Sequence, residues 1–269
     1  MAEPTASSPA PTVHGGATNT ISLRDVGMRY VQVLQRLFDV AAFSLAGSRT
    51  VNEQGYDEFL RTTAVMPAAP FHLGFDAAKE EAERWWLKHG VNEALNTLAH
   101  FLEDCRKLCA LCELKAAQSR GETDVSAIEA KLQADELPTP FAQKLAYLQS
   151  TYGIASPFAE TLLDLDKLRR CLFERGGVVG DQEMIVRLKM VQIIPGTPVS
   201  AEPARAGAAS IPQVSGKVLD AVRKFAPGEK IVFSKTEHTA VFLTLSMFLG
   251  TVLDGVQAFA TRTGTDRPA

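Results

Sequence analysis

The sequence has little excess charge of either sign, which excludes a protein that attracts nucleic acid through its overall field. Lys and Arg together number 28 and Asp and Glu 31, giving a formal net charge of -3. Any phosphate-binding site must therefore be local. Long apolar runs are also missing: residues 240–253, AVFLTLSMFLGTVL, fall short of the ~20 residues that cross a bilayer. We expect no transmembrane span and no membrane partner.

The chain also lacks the short motifs of common hydrolytic and nucleotide-dependent enzymes. It contains no G-x-S-x-G elbow, no G-x-x-x-x-G-K phosphate loop and no G-x-G-x-x-G fingerprint. The N-terminus has no secretory signal, so the four cysteines are expected to be reduced thiols of a cytoplasmic protein. No cofactor and no metal ion are predicted.

Three of the four cysteines lie where apolar residues repeat at alternating steps of four and three. This spacing is a seam of about three heptads, which predicts a helix packed along another helix with its cysteines inward. A CxxxCxxC spacing also occurs in radical-SAM enzymes, but their cluster needs an exposed loop rather than a continuous helix. We therefore predict core positions for these thiols. The seam consists of Val91, Leu95, Leu98, Leu102, Cys105, Cys109 and Cys112.

The spacing of apolar residues, glycines and prolines predicts a mainly α protein. We expect a helical bundle with long paired helices and a small two-stranded β element near the C-terminus. Composition predicts a disordered tail at 1–20, a single helical domain at 21–269 and a flexible insertion at 195–214. Helices are predicted at 21–48, 56–61, 76–119 with an interruption at Gly90, 125–135, 141–151, 157–175, 216–225 and 236–261, and strands at 183–194 and 230–234.

The segment LRRCLFERGGVV, residues 168–179, places three arginines at the end of a predicted helix. Acidic residues fill the first half of this helix and basic residues the second half, as the helix dipole prefers. Asp166, Arg170 and Glu174 are spaced four apart and predict a ladder of opposite charges. Gly176 and Gly177 provide the left-handed residue that commonly closes a helix. These features predict a well-capped helix terminus without requiring a function.

The same segment resembles the signature region of the HEPN superfamily, the higher eukaryotes and prokaryotes nucleotide-binding domains. The order of elements is also similar, with long paired helices before the motif and a strand and a closing helix after it. The resemblance implies a helical bundle that forms a homodimer and binds RNA or a nucleotide, in a prokaryotic defence or toxin–antitoxin context. The matching residues are Leu168, Arg169, Cys171, Leu172, Gly176, Gly177, Val178 and Val179.

Two positions depart from the family pattern and bear on activity. In active members, an Arg and a His from two protomers promote attack of a ribose 2'-hydroxyl on the adjacent phosphate without metal. Here Arg169 matches the Arg, whereas Arg170 replaces the usual Asn and Glu174 replaces the His. Glutamate at neutral pH has no proton to donate and repels phosphate. Glu174 therefore cannot simply take over the role of the histidine in active members.

A literal Arg-x4-His spacing occurs earlier, in RWWLKH at residues 84–89. This spacing arises readily by chance and lies outside the family's position, so we assign no function to it. Trp85 and Trp86 predict one ring in the core and one half outside. The alternative is an aromatic platform for bases beside Lys88.

The sequence thus favours a non-catalytic module that binds RNA, a nucleotide or a protein partner. Arg169, Arg170 and Arg175 are expected to hold a phosphate or an acidic surface at a dimer interface. One alternative is a metal-independent endoribonuclease, in which Arg169 positions phosphate and Glu174 or His238 transfers the proton. The other is an interaction scaffold, in which the seam and the charge ladder only hold helices together.

Overall fold

A computed structural model describes residues 22–62, 72–133, 140–198 and 214–264, so the predicted tail at 1–20 lies outside it. Within these ranges, seven helices and two strands confirm a mainly helical fold with a small β element near the C-terminus. The elements are α1 (Leu23–Thr50), α2 (Glu53–Thr62), α3 (Phe75–Ser119), α4 (Ser126–Gln133), α5 (Phe141–Tyr152), α6 (Ala159–Glu174), β1 (Met184–Pro198), β2 (Val214–Phe225) and α7 (Lys235–Arg262).

The long helix α3 is the centre of the fold, because α1, α4, α5, α6 and α7 all pack against it. It runs without interruption through Gly90, so the predicted break is wrong. Gly90 is buried, and a Cβ atom on it would lie 3.6 Å from Phe242 Cζ of α7. Tertiary packing therefore maintains the helix where propensity alone predicts a pause. The seam is confirmed, since Cys105 and Cys109 are fully buried and Cys112 is half-buried.

The two strands pair antiparallel, from Met184 opposite Phe225 to Ile193 opposite Gly216. The predicted helix at 216–225 is therefore wrong, because pairing with β1 overrides the local preference of this segment. Residues 230–234, predicted as the second strand, contribute one isolated bridge between Val178 and Lys230 within the described ranges. The strands also include 195–198 and 214, which correct both ends of the predicted insertion. Residues 199–213 lie outside the described ranges.

Helix α7 is, among the described helices, the one long and apolar enough to cross a bilayer by length and composition. Ten of its residues, including Leu245 and Phe248, are buried within the fold. Core helices pass the same test, so this is weak evidence about location. The absence of a transmembrane span and the cytoplasmic location stay predictions.

Candidate functional site

The double glycine closes α6 and joins it to the segment that precedes α7. Gly176 and Gly177 have φ values of 59° and 80°, in the left-handed region that favours glycine. The Gly177 amide donates to the Cys171 carbonyl over 3.1 Å, and the Gly177 carbonyl accepts from the Ile231 amide over 2.8 Å. The buried Cys171 thiol donates to the Val178 carbonyl over 3.2 Å. The predicted helix terminus is confirmed, and these bonds fix the chain beside the arginines.

The adjacent arginines of α6 project from different faces of the helix, since successive residues are separated by about 100°. Arg169 turns towards α3, where it donates to Asn92 Oδ1 over 3.4 Å. It also donates to Asp166 Oδ1, one turn earlier on α6, over 2.7 and 3.0 Å. Arg170 Nε lies 3.6 Å from Asp166 Oδ2, which is one half of the predicted ladder. No pair between Arg170 and Glu174 is found in the described part of the chain, so the other half is wrong.

Arg170, Glu174 and Arg175 line a cleft between α6 and the start of β1, called here the α6–β1 cleft. Its volume is about 680 Å³. Cations and carboxylates occur in equal number on its wall, so the cleft has no net field that favours an anion. The structure thus brings three of the four predicted site residues together and places Arg169 elsewhere. The charged lining residues are Lys167, Arg170, Arg175 and Arg187 together with Asp164, Glu174, Asp181 and Glu183.

On the side of α6 that turns towards α3, cations and aromatic rings alternate on the surface. Lys88 Nζ lies 4.4 Å from the centroid of the Phe173 ring, and the His89 ring lies 5.7 Å from it. The Trp85 ring lies 4.3 Å from the His89 ring. Trp85 and Phe173 are 51% and 42% exposed, so both rings are open to a ligand. We define the α3–α6 surface as Trp85, Lys88, His89, Asn92, Arg169 and Phe173.

Sequence reasoning missed the α3–α6 surface as a unit. Helical spacing alone places Trp85, Lys88, His89 and Asn92 on one face of α3, and this signal was available in the sequence. The approach of Phe173 from α6 depends on tertiary packing, so the sequence alone does not predict it. Trp85 is half exposed as predicted. Trp86 is half-buried rather than in the core.

The earlier Arg-x4-His spacing does not form a pair in the fold. Arg84 donates to Glu80 Oε1 over 2.6 Å and to Glu81, and its side chain is 12% exposed. His89 instead contacts Trp85 and belongs to the α3–α6 surface. The two ends of this stretch therefore lie in different environments.

The predicted proton-transfer groups also lie apart from Arg169. Glu174 is exposed and lines the α6–β1 cleft. His238 is 7% exposed at the start of α7, where its Nδ1 donates to the Ser234 carbonyl over 2.9 Å. A single described chain therefore does not pair Arg169 with Glu174 or with His238.

The cysteines of α3 have the properties of core residues. Burial raises the pKa of the Cys105 thiol well above its usual range and that of Cys109 to about 12. Both thiols therefore stay protonated at neutral pH, which makes them poor ligands and nucleophiles. Among the residues that the structure describes, no group of three or more His, Cys, Asp or Glu side chains is placed to hold a metal ion.

No protein-family model matches the chain, and no curated protein or solved structure matches it either. The resemblance to the HEPN superfamily therefore stays a prediction, carried by residues 168–179. The α3–α6 surface and the α6–β1 cleft are therefore the features of the molecule that bear on its function.

Proposed function

We propose that this protein is a non-catalytic module that holds single-stranded RNA on the α3–α6 surface. The observation that carries the proposal is the alternation of cations and exposed rings, with Lys88 over Phe173 and Trp85 beside His89. Aromatic side chains stack with unpaired bases of any sequence, and neighbouring cations bind the phosphates. Arg169 precedes Phe173 by one helical turn, so its guanidinium group adds a second cation to this surface.

The α6–β1 cleft is the less suitable surface for a polyanion. Arg170 and Arg175, predicted to share the phosphate contact, lie there among four carboxylates. Carboxylates repel phosphate, so we assign the phosphate contacts to Arg169 and Lys88. The carboxylate that touches Arg169 is Asp166, which also lies 3.6 Å from Arg170 and is thus shared between two guanidinium groups.

Fluorescence anisotropy of a labelled single-stranded RNA, measured over a series of salt concentrations, tests the proposal. Trp85→Ala is expected to weaken binding by about 1–3 kcal/mol through loss of base stacking. Arg169→Gln is expected to weaken binding and to lower the salt slope by about 0.7. Arg170→Gln is the matched control, because it removes the neighbouring guanidinium from another face of the same helix.

Each outcome of this experiment has a defined meaning. Absence of RNA binding, or equal affinity of the wild type and both α3–α6 variants, contradicts the proposal and leaves a protein partner or a scaffold. A larger loss in Arg170→Gln than in Arg169→Gln assigns the phosphate contact to the cleft instead. Light scattering on the same samples measures the mass in solution and tests the homodimer that the resemblance implies.

One observation favours a second function, metal-independent cleavage of the same RNA. His89 contacts Phe173, one turn from Arg169, so the α3–α6 surface presents an imidazole and a guanidinium group. These are the residue types that general acid–base catalysis and phosphate stabilisation require. RNA cleavage in the presence of a chelator, lost in both His89→Ala and Arg169→Gln, supports this function. Binding without cleavage supports the non-catalytic module.

A further inference from the structure

The α6–β1 cleft is a second candidate site, separate from the α3–α6 surface. Its volume of about 680 Å³ is that of a small-molecule pocket, for which about 300–1,000 Å³ is typical. Its lining is mostly polar and combines four cationic with four acidic side chains. A ligand that matches such a wall must itself carry both signs of charge.

Part of this charge is neutralised by ion pairs within the protein. Asp164 accepts from Arg187 Nη1 over 2.6 Å, and Glu183 lies 4.0 Å from Lys224. Charges of both signs remain after these pairs are formed. Of the eight charged side chains that line the cleft, three have no ion pair or hydrogen bond to any described residue. These are Glu174, Arg175 and Asp181.

Gly180 gives the guanidinium group of Arg175 its place in the cleft. A Cβ atom at position 180 would collide with Arg175 Nη1, so this side chain lies directly against the glycine. The φ angle of Gly180 is not in the positive region, so the backbone conformation does not require glycine there. The backbone amides of Gly180, Asp181 and Gln182 make no hydrogen bond within the described residues.

We propose that the α6–β1 cleft binds a short peptide with free termini. The Arg175 guanidinium group receives the peptide carboxylate, because the fork of an arginine matches a carboxylate in two hydrogen bonds. Glu174 and Asp181 receive the terminal ammonium group. The unpaired amides beside Gly180 donate to peptide carbonyl oxygens. A polyanion meets repulsion from the acidic side chains and a polycation meets it from the basic ones.

Isothermal titration calorimetry with trialanine tests the proposal on the intact chain. Three probes are compared: trialanine with free termini, N-acetyl-trialanine, and trialanine amide. A charged hydrogen bond contributes enough that blocking either terminus is expected to weaken binding about tenfold or more. Arg175→Gln is expected to weaken binding of the free peptide but to leave the amide unchanged. Glu174→Gln with Asp181→Asn is expected to weaken the free peptide but to leave the acetylated form unchanged.

Two further variants separate this site from the RNA surface and from general effects. Gly180→Ala displaces the Arg175 side chain without altering any charge, and is expected to reproduce the effect of Arg175→Gln. Arg169→Gln is the control and is expected to bind trialanine like the wild type, even where it weakens RNA binding. Failure of trialanine to bind, or binding that neither blocked termini nor the Arg175 and Glu174 variants change, overturns the proposal and leaves the RNA proposal untouched.

Discussion

Replacing Arg187 by methionine is expected to destabilise the fold more than replacing its partner Asp164 by asparagine. The two side chains form one ion pair, with Arg187 Nη1 2.6 Å from Asp164 Oδ2, but their burial differs. The carboxylate side chain is 4% exposed and the guanidinium side chain is 44% exposed. Arg187→Met therefore leaves a buried charge behind, whereas Asp164→Asn leaves a charge that water solvates.

The size of the two losses follows from the surroundings of the pair. Removing one partner of a fully buried ion pair costs about 3–5 kcal/mol. Lys167 Nζ remains 3.6 Å from Asp164 Oδ1 and compensates part of the charge, although it is 60% exposed. We therefore expect Arg187→Met to lower the free energy of unfolding by about 2–3 kcal/mol. Asp164→Asn keeps an acceptor for Arg187 and is expected to cost about 1 kcal/mol.

Urea unfolding of the wild type, both single variants and the double variant measures these free energies. In the Arg187→Met background, Asp164→Asn removes the buried charge, so it is expected to stabilise that background by about 1–2 kcal/mol. Lys224→Met is the control. This lysine also lies on the two-stranded sheet, but it pairs with the exposed carboxylate of Glu183 at 4.0 Å. Additive losses in the double variant, or an Arg187→Met loss no larger than that of the control, refute the reasoning.

Two further predictions concern a buried thiol and two glycines. The pKa of Cys109 is raised from 9.0 to about 12, so the unfolded chain releases this proton first and stability falls as pH rises between those values. Cys109→Ala is expected to flatten that fall by about 1.4 kcal/mol per pH unit in urea unfolding, and an unchanged slope contradicts it. Gly177 has a φ of 80°, and a Cβ atom there would lie 3.3 Å from Leu172 Cδ2. Gly177→Ala is expected to lower the free energy of unfolding by about 1–2 kcal/mol. Gly250 lies inside α7 with open space at its Cβ position. Gly250→Ala is expected to raise the free energy of unfolding by about 0.5–1 kcal/mol, and a change of the same sign at both glycines contradicts the reasoning.

Helix ends follow from the sequence because the residues that determine them are local. Gly153, with a φ of 70°, ends α5 where the sequence predicts it, and Gly176 does the same for α6. The identity of β2 does not follow, because Val218 and Leu219 are compatible with either element and the strand exists through its pairing with β1. Gly90 likewise depends on tertiary packing. The sequence predicts an interruption there, but α3 continues through Gly90, where it packs against α7.

The candidate site shows where prediction from the sequence stops. The sequence predicts that the three arginines within residues 169–175 form one phosphate-binding site. The helical period already separates Arg169 from Arg170 by about 100°, so their division between two faces was predictable. The residues that contact each face were not predictable from the sequence. Asn92 and Lys88, for example, contact α6 because α3 packs against it.

Asp166 forms an ion pair with the arginine of each face, with Arg169 at 2.7 Å and with Arg170 at 3.6 Å. Its side chain is 16% exposed, so this carboxylate lies largely beneath the helix surface that carries the two guanidinium groups rather than in open solvent. Both guanidinium groups are therefore held by the same carboxylate, whereas the side chains that surround each one come from the element packed beside that face of α6. The rings of Trp85 and His89 on α3 lie beside one face, and the carboxylates of Asp181 and Glu183, in the segment before β1, line the cleft on the other. A binding site on a helix is thus defined by a face together with what packs beside it, which is why we assign different ligands to the two surfaces of α6.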